Sequence, residues 1–140
     1  MARQGSTDDR LAAVPIFQGL SKKHLGQISS LMTVLDLPAG KVLTQQGKTG
    51  REFIIILEGE AEVTRDGKTI ATRGPGEYVG EIALLDDRPR TATVTAKTDV
   101  VAEVLNRQEF TSLLASSPEI SSHVMATMAQ RLAELDRDAT

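Results

Sequence analysis

Two residues of opposite charge, Glu81 and Arg90, lie on either side of a short turn in the segment "YVGEIALLDDRPRTATV". An arginine guanidinium suits phosphate because its N–H groups form a planar fork. A single helical turn after Glu81 leaves backbone N–H groups at its start, and such groups favour an anion. Pro89 keeps the preceding residue extended, so that Arg90 is presented at the beginning of a strand. The pattern predicts a phosphate-binding site.

Glu81 needs a different role, because a carboxylate beside a phosphate would repel it. A carboxylate can accept a hydrogen bond from a hydroxyl of the same ligand, and a ribose hydroxyl fits that need. The ligand is then a nucleotide, and Thr91 can add a hydroxyl contact to its phosphate or its base. The alternatives are an exposed acid at the start of the turn for Glu81 and a surface arginine for Arg90.

The size and charge of the chain limit the classes of function that it can have. Its 140 residues suit one domain, and 16 basic against 19 acidic residues give a net charge of -3, which argues against general binding to nucleic acid or anionic membranes. The absence of cysteine excludes thiolate metal sites and a cysteine nucleophile. No segment approaches the roughly 18 apolar residues of a membrane span, and the N-terminus lacks the apolar region of a signal peptide. We expect a cytoplasmic protein.

The apolar pattern divides the chain into helices, strands and helices again. Helices are expected over about residues 8–32, with Ser21 as an N-cap, and over about 107–138. Between them, residues 33–106 alternate with a period of two, and the turn "RDGK" predicts a hairpin. Several short strands with tight connections predict an antiparallel β jelly roll flanked by helices, in the α+β class.

The motif around Arg90 resembles the phosphate-binding cassette of cyclic nucleotide-binding domains: glycine-glutamate, a short apolar turn, then proline-arginine-x-alanine-threonine-valine. The resemblance extends from "IFQGLSKKHLGQI" through "ILEGEAEV" and "GPGEYVGEIALL" to the helix after "SPEI". It implies one cyclic nucleotide-binding domain over residues 1–140. Such a domain is a sensor that binds cAMP or cGMP, needs no further cofactor and catalyses no reaction.

The resemblance also implies a role for each residue of the motif. Glu81, next to Gly80, accepts a hydrogen bond from the ribose hydroxyl. Arg90 pairs with the cyclic phosphate, helped by the following hydroxyl and by backbone N–H groups. The full set implied for the nucleotide is Gly80, Glu81, Ile82, Ala83, Arg90, Thr91 and Ala92.

In the family the last helix folds over the base as a lid, which here corresponds to Pro118 through Asp136. Met125 and Met128 are the residues we expect to contact the base, although methionines on such a helix fill a core about as often. The apolar stripe of this helix could also form a homodimer seam or a docking face for an effector protein. The sequence leaves open whether the chain is a stand-alone sensor or a fragment of a larger protein.

Two residues depart from the family pattern or bear on the base. Many members place an acid after the second glycine of the loop before "FIIIL", where it steadies the cassette arginine, and this chain has Arg51 there. Thr91 stands where many cAMP-selective members have alanine or serine, and the family associates threonine with tolerance of cGMP. Family habit nevertheless favours cAMP over cGMP.

Two other classes of function compete with the sensor. A metal-dependent jelly-roll enzyme needs several histidine and carboxylate ligands, but His24 and His123 lie in the helical regions, where we expect them to be exposed and to bind no metal. The residues form no recognisable catalytic arrangement, so we expect no enzyme. A degenerate domain that serves as a protein interaction scaffold without nucleotide remains the alternative because of Arg51.

Overall fold

The computed structural model describes residues 2–139, apart from the side chains of residues 2–7, 82, 131 and 135–139. The chain divides into two compact units. The helical unit comprises Met1–Leu31 and Thr111–Thr140, and the β unit comprises Met32–Phe110.

The β unit consists of two four-stranded antiparallel sheets, with strand orders β1-β8-β3-β6 and β2-β7-β4-β5. This arrangement confirms the predicted α+β class and jelly roll. The strands are β1 Thr33–Leu37, β2 Val42–Thr44, β3 Glu52–Glu58, β4 Ala61–Arg65, β5 Lys68–Arg73, β6 Tyr78–Val79, β7 Thr93–Ala96 and β8 Val100–Asn106.

The core of the β unit follows from the alternation in its strands. In β4 and β7 every second side chain is buried, as expected for strands with one face toward a core. Burying one aliphatic side chain contributes about 1.5–3 kcal/mol. The buried cluster contains residues of both sheets: Ile54, Ile56, Ala61, Val63, Val94, Ala96, Val100 and Ala102.

A tight hairpin joins β4 to β5, as "RDGK" predicts. Arg65 pairs with Lys68, which leaves Asp66 and Gly67 as the two turn residues. Their φ angles are 53° and 79°. Positive φ at both positions suits the right-handed twist of the strands, and Asp and Gly tolerate it.

The helical unit contains α1 Ala2–Ala13, a 3₁₀ turn Pro15–Phe17, α2 Lys22–Ser29 and α4 Pro118–Ala139. A further helix, α3 Arg107–Ser116, begins in the β unit. Ser21 caps α2 as predicted, because its Oγ accepts a hydrogen bond from His24 N at 3.2 Å. Helix α1 begins before the expected position near residue 8, since no proline interrupts the preceding residues.

The two histidines differ from the expectation that they are exposed. His24 Nε2 lies 3.0 Å from Glu119 Oε2, and the His24 side chain is only 15% exposed. His123 Nε2 contacts the carbonyl oxygen of Gln18. Both contacts connect α4 to the N-terminal segment of this unit. Among the described residues, no helix combines the length and apolar composition that crossing a membrane requires.

Candidate functional site

A cavity of about 470 Å³ opens in the β unit next to the turn that follows β6. Most of the residues predicted to bind a nucleotide line it. The backbone of Ile82 belongs to the same turn, whereas its side chain lies outside the described residues. The predicted residues that line the cavity are Gly80, Glu81, Ala83, Arg90, Thr91 and Ala92.

The turn itself is a 3₁₀ helix over Glu81–Leu84, as expected for a single turn. Gly80, just before it, has φ 82°, which L side chains rarely adopt, and a Cβ there would overlap Arg90 Nη1. Ala83 N donates to Gly80 O at 3.0 Å across this turn. The N–H of Ala83 is therefore already used, and a phosphate at this point would have to share it with the Gly80 carbonyl.

The side chain of Arg90 is half-buried and reaches toward the start of β3. Its Nη2 donates to the carbonyl oxygen of Glu52 at 2.6 Å. Its Nε is buried and finds no acceptor among the described residues. Gly50 permits this position, because a Cβ on that residue would overlap the guanidinium.

The surroundings of Arg90 lower its pKa from the ordinary arginine value, because burial removes the charged group from water. The nearby Glu52 carboxylate acts in the opposite direction and raises the pKa. The exposed Arg51 thus occupies the position where the family pattern has an acid. The next residue, Glu52, supplies both a carboxylate and a carbonyl acceptor near Arg90. A partly buried cation at the wall of a cavity is suited to an incoming anion.

The backbone of Arg90 is held by the loop that follows β2. Arg90 N donates to Lys48 O at 2.9 Å, and Gly47 N donates to Arg90 O at 2.8 Å. Thr49 and Pro89 form an isolated antiparallel bridge beside them. Since β7 begins only at Thr93, Arg90 lies before the strand and not at its first residue. The loop replaces a neighbouring strand as its hydrogen-bonding partner.

The residues after Arg90 are also fixed through polar contacts. Thr91 is exposed, and its carbonyl accepts a hydrogen bond from Arg65 Nε at 3.0 Å. Thr93 is half-buried, and its Oγ1 accepts a hydrogen bond from Gln46 N at 2.9 Å. Thr91 thus lies at the rim of the cavity, while the Thr93 hydroxyl supports the neighbouring loop.

The rest of the lining is chemically different from the end at Arg90. Val63, Ile70 and Ala71 of the second sheet form an apolar wall that suits a planar, weakly polar ring. Further charge lies at the edge, where Arg88 Nε contacts Asp86 Oδ2 at 2.6 Å. The cavity therefore combines a cationic end with an apolar wall.

A contact that the motif did not indicate joins the turn to α3. Arg107, the first residue of α3, donates from Nε to Ala83 O at 2.7 Å. Its Nη1 contacts Asp87 Oδ1. The carbonyl end of the 3₁₀ turn is thereby attached to the beginning of a helix, through a partner that lies 24 residues away in the chain.

The two methionines predicted to contact the base belong to the helical unit. Met125 and Met128 belong to α4 in the helical unit and are not among the residues that line this cavity. Met125 is 69% exposed, whereas Met128 is half-buried. Their role as a lid stays a prediction. Within the described part of the chain, no three His, Cys, Asp or Glu residues converge as a metal site would need.

Known proteins resemble this chain in sequence and in fold. The model of the cyclic nucleotide-binding domain family matches residues 34–117. A CRP-like cAMP-activated global transcriptional regulator from Mycobacterium tuberculosis is 31% identical over 130 residues, which cover 89% of this chain and 58% of the relative. A cAMP-dependent protein kinase regulatory subunit from Yarrowia lipolytica is 37% identical over 114 residues, with 80% of this chain and 30% of the relative covered.

A solved structure supports the fold as well. The N-terminal domain of a transcriptional regulator from Streptomyces coelicolor superposes with a TM-score of 0.83 at 28% identity, over 94% of this chain and 96% of that domain. The chain spans only 58% and 30% of the two curated relatives. The family match covers the sheets from the second residue of β1 onward and the whole cavity lining, and we conclude that this chain belongs to the cyclic nucleotide-binding domain family.

Proposed function

We propose that the chain is a regulatory sensor module without catalytic activity, and that its ligand is a cyclic purine nucleotide, cAMP in preference to cGMP. The observation that carries the proposal is the guanidinium of Arg90, half-buried at one end of the cavity. Two relatives whose names refer to cAMP support the choice of nucleotide.

Each part of the nucleotide has a matching surface in the cavity. Arg90 neutralises the cyclic phosphate, and Glu81 accepts a hydrogen bond from the ribose hydroxyl. The base lies against the apolar wall that Val63 and Ile70 help to form. The volume of about 470 Å³ falls within the range of small-molecule sites, which is roughly 300–1,000 Å³.

Calorimetric titration with cAMP and with cGMP tests the proposal. Wild-type protein should bind cAMP with a dissociation constant of about 1 μM or lower, which corresponds to about -8 kcal/mol. Arg90→Ala should weaken binding by about 2–5 kcal/mol, much of it from leaving the phosphate unpaired. Arg51→Ala is the matched control, because Arg51 is an exposed arginine of the same unit outside the cavity lining.

Glu81→Ala separates ribose recognition from phosphate recognition. It should weaken cAMP and cGMP equally, since both carry the same ribose. Absence of heat with either nucleotide, from wild-type protein that circular dichroism shows to be folded, would contradict the sensor. The degenerate interaction scaffold would then be the better account, and the exposed Arg51 is the observation that favours it.

We further propose that nucleotide binding is signalled through α4, with Met125 and Met128 contacting the base. Hydrogen exchange of α4 amides, measured with and without saturating cAMP, tests this proposal. Slower exchange around these methionines would support a lid, whereas unchanged exchange alongside confirmed binding would contradict it.

The partner of the module is a separate proposal. The exposed Met125 and Leu132 on α4 are suited to a homodimer seam or to an effector protein. Sedimentation of the wild-type chain and of Leu132→Ser distinguishes these two, because only a seam predicts a dimer that the substitution weakens. The expected cytoplasmic location, the single-domain organisation and the relation to a longer protein stay predictions.

A further inference from the structure

The position of the Arg90 backbone depends on a loop that is not anchored by regular strand pairing. Two hydrogen bonds connect Arg90 to Gly47 and Lys48, at 2.8 and 2.9 Å. A guanidinium can meet a phosphate only if its own main chain is held at a fixed place, so the loop determines the geometry of the phosphate contact. What anchors the loop therefore matters for binding.

The loop is anchored by a reciprocal pair of hydrogen bonds. Gln46 Nε2 donates to Asp66 Oδ1 at 2.9 Å, and Asp66 N donates to Gln46 Oε1 at 2.9 Å. The side-chain amide of Gln46 thus uses its donor and its acceptor on the same residue. Gln46 N donates in addition to Thr93 Oγ1 at 2.9 Å, which attaches the loop to β7.

Asp66 belongs to the tip of the β4–β5 hairpin, and this tip contacts the cassette a second time. Arg65, next to Asp66, donates from Nε to the carbonyl of Thr91 at 3.0 Å. The hairpin tip consequently holds Thr91, the residue after Arg90, directly. It holds the loop that follows β2 through Gln46. Arg90 lies between these two attachments, 24 residues away from Asp66 in the chain.

We infer that Gln46 and Asp66 are positioning residues for Arg90, which act without touching the ligand by holding the loop and the hairpin tip together. The inference rests on the proposed binding of a cyclic nucleotide. Arg65 contributes to the same positioning through its hydrogen bond to the Thr91 carbonyl. Removal of the Gln46 amide leaves the loop free to shift, and the guanidinium then meets the phosphate with poorer geometry.

The first test needs no nucleotide. Amide hydrogen exchange of Gly47 and Arg90 is measured by NMR in wild-type protein, Gln46→Ala and Gln45→Ala. Gln45 is an exposed glutamine next to Gln46, and its side chain serves as the matched control. Gln46→Ala should accelerate both amides by about 10-fold, because a local contact of this kind sets the opening free energy. Equal rates in Gln46→Ala and wild-type protein would overturn the positioning role.

The second test uses cAMP and its Sp and Rp phosphorothioate analogues, in which sulfur replaces one or the other exocyclic phosphate oxygen. Gln46→Ala and Asp66→Ala should weaken cAMP by about 10-fold and bring the affinities of the two analogues closer together. A role limited to general stability would leave the ratio of the two analogues unchanged.

Asp66→Asn is the conservative variant for this test. Asparagine keeps the acceptor for Gln46 and tolerates the positive φ of 53°, so the variant should retain affinity and analogue ratio within about threefold of wild type. Wild-type affinity and ratio in Gln46→Ala would overturn the inference. Failure of wild-type protein to bind cAMP would contradict the proposed function. The exchange rates would still test the anchoring of the loop, because they are measured without nucleotide.

Discussion

The segment around Arg90 and helix α4 are both marked by clear sequence patterns, yet the two patterns carry different information. Around Arg90 the contacts are mostly made by main-chain atoms, including the carbonyls of Glu52 and Lys48. In α4 the pattern is an apolar stripe, which includes the buried Ile120 and the exposed Leu132. The first pattern specifies a ligand, and the second specifies only that the helix packs against some surface.

This difference follows from directionality. Hydrogen bonds and the shape of a guanidinium require particular atoms at particular distances, so a short motif can identify its ligand class. Apolar burial is non-directional and scales with area, so any surface of suitable size can cover such a stripe. The comparison predicts that truncation of a buried apolar residue in α4 changes stability, whereas substitutions near Arg90 change nucleotide affinity.

The largest effect is expected for Ile120→Ala in α4. Ile120 is fully buried, so its truncation should lower the free energy of unfolding by about 2–5 kcal/mol. Denaturant unfolding measures this change, with Met125→Ala on the exposed part of the same helix as the control. The cAMP affinity of the folded protein should change by less than about threefold, and a larger loss of affinity would mean that the packing of Ile120 also supports nucleotide binding.

A smaller effect is expected for Gly50→Ala, and it concerns nucleotide affinity instead of stability. The added methyl group would occupy the place of the Arg90 guanidinium and displace it, so cAMP affinity should fall by about 10- to 100-fold. Titration calorimetry measures the loss. Gly26→Ala is the control, because nothing surrounds that position in α2 and alanine should stabilise the helix by about 0.5–1 kcal/mol without changing affinity. Unchanged affinity in Gly50→Ala would refute this placement of Arg90.

Thr91→Ala should have an effect of about 1 kcal/mol, confined to one nucleotide. If the exposed hydroxyl of Thr91 contacts guanine, its removal weakens cGMP by about fivefold and leaves cAMP nearly unchanged. Parallel titrations with both nucleotides measure the ratio, and Thr72→Ala, at an exposed position outside the cavity lining, is the control. Equal losses for both nucleotides would place the hydroxyl at the phosphate instead.

The smallest effect is expected from pH. Burial lowers the pKa of Arg90, so the folded protein binds this proton less tightly than the unfolded chain does. Burying the charge lowers the stability of the folded protein at every pH below that pKa. A bound phosphate opposes the lowering of the pKa. Arginine stays protonated near neutrality, so cAMP affinity should vary by less than about twofold between about pH 6 and pH 9. A steep dependence measured by calorimetry would require another titrating group at the site.

Much of the fold could be predicted because its signals are local. The Asp66 turn, the Ser21 cap and the glycine at position 80 each solve a problem of backbone geometry within a few residues. The partnered states of His24 and His123 could not be predicted in this way. Each depends on what the rest of the helical unit places beside it.

The candidate site shows the same limit. The motif indicated Glu81 and Arg90, but the acceptor for the Arg90 guanidinium is a main-chain carbonyl 38 residues away, which no residue type encodes. The Arg65 contact to the Thr91 carbonyl is invisible in the sequence for the same reason. Gly50 could have been suspected from "GKTGREF", since a glycine before a buried strand often marks a close approach.

The sequence by itself determined the class of the domain, the position of the turn and the pair of charges that we propose to bind a nucleotide, because these depend on spacing and backbone conformation along one stretch of chain. Only the tertiary structure decided how Arg90 is held: by the Glu52 carbonyl, the Gln46 loop and the hairpin tip. The physical reason is that hydrogen bonds to main-chain atoms are nearly independent of residue type, so distant partners become apparent only when the chain has folded.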